Sequence, residues 1–199
     1  DKDGTLTLKE VTKYTFSGKG DTRIIDRSTT LTAVLPEVSM PDVKDGMYAI
    51  RVARELELPS NKPEIFTDAS GIATKVPVMN NEGITGNYRN SNGVEGETVW
   101  GKRAIWCNLT GKIKDENISI AMIDHPRNVG YPAYWHARGY GLFAVNPLGM
   151  KALSDGKETL NFKLKKGEST TFRYRMVIAS EHLKDATLND LAAAYAKTE

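Results

Sequence analysis

The chain has one cysteine, Cys107, among 199 residues. A lone thiol closes no internal disulfide, and it leaves the redox compartment open. Its alternation with Ile105 and Leu109 predicts a small hydrophobe on a shared buried face rather than a nucleophile. No apolar run reaches the roughly 18–20 residues of a helical membrane span, so no span is expected. The opening Asp1-Lys2-Asp3-Gly4 is not a signal peptide. Lys and Arg (27) are scattered among Asp and Glu (25), for a net charge of +2. The basic stripe of a nucleic-acid binder is absent, which excludes nucleic acid as the expected partner. Lys163-Leu164-Lys165-Lys166 reads as a solvated strand end and turn. Histidine is scarce: His125, His136 and His182 are all there is, and His182 is expected to be exposed.

What is present is ordinary for a globular chain, with 40% apolar and 26% charged residues. The length suits one domain, so residues 1–199 are read as a single β-sandwich domain. Strand signals dominate. Thr5–Phe16 and Thr22–Val34 are rich in β-branched and aromatic residues. Met47–Leu58 alternates, with Tyr48, Ile50, Val52, Leu56 and Leu58 on one parity. Pro77–Thr98, dense in Asn and Gly, reads as a long loop. Val99–Leu109, Asn117–Ile123 and Gly141–Val145 are further strands. Thr159–Leu164 and Thr170–Ala179 read as a hairpin, with Gly167 at a positive-φ position. Thr187-Leu188-Asn189-Asp190 has the capping-box pattern, which predicts a helix over Leu188–Lys197. Many strands with no alternating helices predict an all-β, antiparallel sandwich with one C-terminal helix.

The densest collection of chemistry-bearing residues lies in Asp124–Gly149. Four readings of it stay open. In the first, Trp135, Tyr134 and Tyr140 stack on a sugar while Arg138, Asn128 and Asp124 bond its hydroxyls. His136 or His125 then serves as acid or base, oriented by Asp124. In the second, Asp124, His125 and His136 form a metal set, although their spacing is no recognised ligand motif. In the third, these residues are structural: His125 caps the turn before Pro126, Trp135 is core and Arg138 satisfies carbonyls. In the fourth, the aromatic patch binds a protein partner. Glu95, Glu97 and Arg103, around Trp100-Gly101, read as surface residues. Arg51 falls on the wetter face of its strand, with a ligand-facing role as the alternative. No motif assigns a cofactor.

Several motifs, taken in order, resemble a known family. They are Ala49-Ile50-Arg51-Val52-Ala53, Trp100-Gly101-Lys102-Arg103-Ala104, Asp124-His125-Pro126-Arg127-Asn128, Trp135-His136-Ala137-Arg138-Gly139-Tyr140-Gly141-Leu142-Phe143-Ala144 and Asn146-Pro147-Leu148-Gly149. The set resembles a bacterial family of unknown function often labelled "methane oxygenase PmoA-like". The resemblance implies a periplasmic or secreted protein associated with carbohydrate metabolism, and a sandwich like that of sugar mutarotases. Taken with the residues, the leading reading is a carbohydrate-associated protein, a sugar-active enzyme of lyase, hydrolase or epimerase type, with His125, His136 and Asp124 catalytic. Arg138, Asn128, Trp135, Tyr140 and Arg51 then hold a small-molecule or oligosaccharide ligand. The alternative is a non-catalytic carbohydrate-binding or protein-interaction module. The family's upstream His-Pro-His-His type motif does not occur here. The chain is therefore expected to lack an upstream part of the family domain and to pair with it or with a second copy.

Overall fold

A computed structural model of the chain describes residues 3–60, 68, 70–74 and 81–198. Strands β1 (Leu8–Lys19) and β2 (Thr22–Ala33) form a hairpin whose register runs from Leu8 opposite Ala33 to Lys19 opposite Thr22. The turn is closed by Gly20 at φ 57°, a conformation that is nearly cost-free only for glycine. Then come β3 (Glu37–Met40), β4 (Tyr48–Arg51), β5 (Asn87–Asn90), β6 (Trp106–Ile113), β7 (Glu116–Asp124), β8 (Tyr134–Ala137), β9 (Leu142–Asn146), a one-turn helix α1 (Met150–Leu153), β10 (Phe162–Lys165), β11 (Ser169–Ala179) and helix α2 (Asp185–Tyr195). The large sheet has the order β1-β2-β11-β7-β6-β5. A three-stranded sheet, β4-β9-β8, and a two-stranded one, β10-β3, complete the described strands. All pairings are antiparallel. The predicted all-β, sandwich-like class and the C-terminal helix are therefore present.

Alternation along the strands decides what each face packs on. Cys107, Leu109, Met122, Phe172, Tyr174 and Met176 of the large sheet meet Tyr48, Trp135, Phe143 and Val145 of the small one in the main core. Trp106, Ala121, Ile123 and Val177 point the other way and are covered by Leu188, Ala192 and Tyr195 of α2. Trp106 and Cys107 are thus neighbours in sequence, both buried, on opposite faces. The helix is tied down by polar contacts as well. Trp106 Nε1 donates to Asn189 Oδ1 at 2.8 Å, and Arg89 grips the Asp185 carboxylate with Nε and a terminal nitrogen.

Several local expectations need correction. Met47–Leu58 is not one strand: pairing ends at Arg51 and the chain turns through a 3₁₀ segment, Arg54–Leu56. Leu56 and Leu58 still point inward, so the parity survives although the strand does not. The span read as a loop contains β5, where Tyr88 is fully buried; its turn-forming neighbours masked a four-residue strand. The rest of that span lies in part outside the described residues. The strand predicted over Val99–Leu109 starts only at Trp106 and runs on through Gly111. That glycine serves close packing instead of a turn, since a Cβ there would sit 2.7 Å from Leu56 Cδ2. Ile105, expected to share the buried face of Cys107, is exposed and precedes the strand. The expected hairpin of β10 and β11 is a correct turn with the wrong pairing. Gly167 has φ 84°, but β10 pairs with β3, and β11 with β2 and β7, so the turn joins two sheets. Helix α2 starts at Asp185, three residues before the predicted Leu188. Its N-cap, Lys184, makes no side-chain cap bond. Arg89 anchors the first turn to β5 through Asp185, and an acid in the first turn suits the helix dipole.

No helix among the described residues is long and apolar enough to cross a membrane. Strand β1 borders the large sheet, and Val11, Tyr14 and Phe16 along it are exposed, Phe16 by 72%.

Candidate functional site

The window Asp124–Gly149 supplies two separate constellations. The first closes β7. The buried Asp124 carboxylate accepts from the His125 backbone N–H at 2.9 Å, Asn128 Nδ2 at 2.7 Å and the Ala133 N–H at 2.8 Å. These bonds fold the β7–β8 connection back on itself. Asn128 continues the ladder beyond Asp124: its amide donates to the Arg173 carbonyl and accepts from the Arg173 N–H, each at 2.7 Å. His125 is buried edge-on against Tyr195, with centroids 5.0 Å apart. Its Nδ1 accepts from the Arg127 N–H at 3.1 Å, which leaves Nε2 to carry the proton. Burial, with Arg173 and Arg127 nearby, depresses its pKa, and the Thr198 and Tyr195 backbones oppose this. Asp124 therefore orients the backbone of His125, not its ring. Burial pushes Asp124 up to about 6, against the hydrogen bonds that favour its anion. Every oxygen of this carboxylate is occupied by the protein.

The second constellation surrounds a cavity of about 380 Å³ lined by Ser60, Glu97, Trp100, Ala137, Arg138, Gly139 and Tyr140. It lies where the β8–β9 turn meets two loops. The turn is pinned by Arg138 N–H to the Leu142 carbonyl at 2.8 Å and by Leu58 N–H to the Gly139 carbonyl at 2.9 Å. Gly139 faces Glu97 Oε1 and Leu58 Cβ, which a Cβ there would meet at 3.5 Å, an ordinary contact distance. The segment carrying Glu97 is a 3₁₀ turn, Gly96–Val99, with Trp100 at its end. The residues after this turn are laced to β8. Gly101 N–H donates to the Trp135 carbonyl, and Trp135 N–H donates to the Lys102 carbonyl.

Within this site the side chains interlock. Arg138 lies over the Trp100 ring, 4.7 Å from its centre, and its Nε donates to His136 Nε2 at 3.2 Å. An arginine Nε is always a donor, so His136 accepts as a neutral ring with its proton on Nδ1. Burial and the charge of Arg138 depress the His136 pKa, against the nearby Lys44 backbone and Asp45. The Lys44 backbone is placed by Asn146, whose Nδ2 donates to the carbonyls of Val43 and Asp45. Trp100 Nε1 is buried without a hydrogen-bond partner among the described residues. Tyr140 is held from behind by Arg51, whose guanidinium lies 5.3 Å from the ring centre and donates to the Tyr140 carbonyl.

The sequence-predicted residues thus divide. His136, Arg138 and Tyr140 come together at the cavity. Arg51 supports Tyr140 from the solvent side and is not part of the lining. Asp124, His125 and Asn128 form the β7–β8 clamp instead. Trp135 is core, fully buried with Nε1 bonded to the Ala104 carbonyl. Tyr134 is buried, with Arg103 over its ring. Among the described residues no three His, Cys, Asp or Glu side chains gather as a metal set, so Asp124, His125 and His136 do not form one. Glu97 is exposed, as expected, and also lines the cavity, as does Trp100 three residues on. The available signal was a tryptophan in a glycine-flanked, polar stretch. Arg103, from the same stretch, is structural and bonds Glu158 and the carbonyls of Pro132 and Gly130.

A family model described as a family of unknown function (DUF6807) matches residues 1–193. No curated protein matches the chain. No solved structure matches it.

Proposed function

The chain belongs to the family of unknown function DUF6807, and on that premise we propose that it is a carbohydrate-associated protein that holds a sugar in the Trp100–Arg138–Tyr140 cavity. The observation that carries this reading is the cavity's combination of aromatic faces with polar groups that the protein does not itself use. Its volume of about 380 Å³ falls in the roughly 300–1,000 Å³ range of small-ligand pockets. Tyr140, exposed at the cavity, offers a face for sugar C–H surfaces, and Trp100 carries Arg138 beside it. Arg138 offers donors, and the Glu97 carboxylate, without a partner among the described residues, offers acceptors for hydroxyls.

Binding without catalysis is the better-supported form of this proposal. His136 engages Arg138 through Nε2, so its lone pair is not available as a base. The Asp124 carboxylate is consumed by three hydrogen bonds in the β7–β8 clamp. Their role in this reading is positional. A mutarotase-like ancestry, a PmoA-like label and a periplasmic or secreted location belong to the same proposal and rest on the motif resemblance. Calorimetry against a panel of neutral and acidic mono- and oligosaccharides tests it. Saturable binding that Trp100→Ala abolishes is expected, and a well-folded chain that binds no sugar ends the reading.

The exposed apolar edge of β1 favours a companion reading, pairing with a second copy of this chain through that strand. Light scattering tests it. A dimer dissociated by Phe16→Lys is expected, and a monomer at high concentration refutes it.

A further inference from the structure

We propose that the ligand of this cavity carries a carboxylate and is a sugar acid of the uronate or aldonate class; this rests on the sugar-binding reading above and adds the charge of the ligand. The observation is how Arg138 is held. Its Nε is committed to His136 and its planar face to Trp100, so the guanidinium is fixed in orientation. Among the described residues, its two terminal nitrogens have no hydrogen-bond partner and no carboxylate within 4.0 Å. Arg89, Arg103 and Arg175, by contrast, spend a terminal nitrogen on a carboxylate, of Asp185, Glu158 and Asp26. A guanidinium clamped by its stem and face, with its outer edge unengaged, is the fork that receives a carboxylate through two parallel hydrogen bonds.

The rest of the lining selects the kind of anion. Among the described residues, Arg138 and Glu97 are the formally charged side chains lining this cavity, and their charges cancel. A monoanion with hydroxyls suits that pair, with its carboxylate on Arg138 and its hydroxyls on Glu97. A phosphate dianion brings a second negative charge toward Glu97, which like-charge repulsion disfavours. Tyr140, exposed on the cavity wall, contributes the stacking face, and the Arg138 fork, seated on Trp100, sets where along that face the acid group must lie.

The test is calorimetric titration of the whole chain at neutral pH with D-glucuronate, D-galacturonate and D-gluconate, beside D-glucose, D-galactose and D-glucose 6-phosphate. At least one sugar acid should bind roughly tenfold or more tightly than its neutral counterpart. Arg138→Gln should remove that preference. Arg138→Lys, which keeps the charge but not the fork, should recover only part of it. Glu97→Gln should weaken neutral sugars more than acidic ones, because it removes an acceptor for hydroxyls and also a negative charge that repels the acid group, so the acidic preference should rise. Thermal unfolding of each variant shows whether it folds, and the Lys and Glu97 variants keep the test decisive if Arg138→Gln does not. Equal binding of neutral and acidic sugars, or a preference that survives Arg138→Gln, overturns the carboxylate assignment and leaves the sugar reading standing. Tighter binding of the 6-phosphate overturns it in favour of phosphate. No binding of any sugar overturns both.

Discussion

The guanidinium of Arg138 lies 4.7 Å from the centre of the Trp100 indole, joining the β8–β9 turn to the loop before β6. Contacts of this kind contribute about 0.5–2 kcal/mol, more as the pair is desolvated. Both residues also line the cavity, so substitutions at either separate binding from folding.

Trp100→Ala is expected to lower sugar affinity by roughly tenfold or more, because part of the cavity lining and the platform of Arg138 are lost together. Trp100 is half-buried and outside the main core, so the stability loss should stay near about 1–2 kcal/mol. Calorimetry and urea unfolding on the same preparation check the two numbers. A large stability loss with unchanged affinity would place the ligand elsewhere.

The His136–Arg138 contact predicts a pH profile. The folded-state pKa of His136 is depressed below 6.5, so its contribution to stability is present above the unfolded value and lost as pH falls through the folded one. Once protonated, the ring can no longer accept from Arg138 Nε. Affinity should be flat from alkaline pH down to about 6.5 and fall below the depressed pKa. His136→Gln, which keeps an acceptor, should bind with the fall abolished, whereas His136→Ala should bind weakly at every pH. An affinity that rises on acidification contradicts this arrangement.

Asp124 predicts the opposite sense. Its folded pKa, about 6, lies above the ordinary 3.8. Its contribution is therefore fully present below the unfolded value and lost as pH rises through about 6. Asp124→Asn removes this titration and turns an amide N–H toward the Ala133 N–H, a donor facing a donor. Urea unfolding should show a loss of about 1–3 kcal/mol from the unsatisfied groups. The difference between wild type and variant should shrink from pH 4 to pH 7. A difference that grows with pH refutes the assignment.

Two backbone-level and core substitutions probe the fold. A Cβ on Gly86 would meet the Leu56 carbonyl oxygen at 2.0 Å. Gly86→Ala should thus force the 3₁₀ segment away from the sheet and cost about 1–3 kcal/mol or more. Leu188→Ala empties the centre of the α2 interface and should cost about 2–5 kcal/mol. Amide exchange should show faster opening of α2 and little change in the small sheet; uniform opening of the whole chain contradicts an independent outer layer.

The sequence by itself determined the architecture class and the inward parity of its residues. Strand alternation is a local property, and Tyr48, Leu56, Leu109 and Met122 reach the core whether or not their segments are all strands. It also placed the chemistry-bearing window, because His, Trp and Arg are rare enough for their clustering to be visible. Only the tertiary structure decided how that window is divided. Asp124, His125 and Asn128 look like site residues in one dimension, yet the strand ladder past Asp124 needs a side-chain partner for Arg173, and Asn128 fills that need. Trp135 and Trp100 are chemically identical in the sequence. Pairing of β8 in the small sheet buries the first, while the turn at Gly96–Val99 leaves the second beside Arg138. Which strands pair, and hence which loops meet at the cavity, depends on contacts between residues far apart in the chain, and no local pattern encodes that distance.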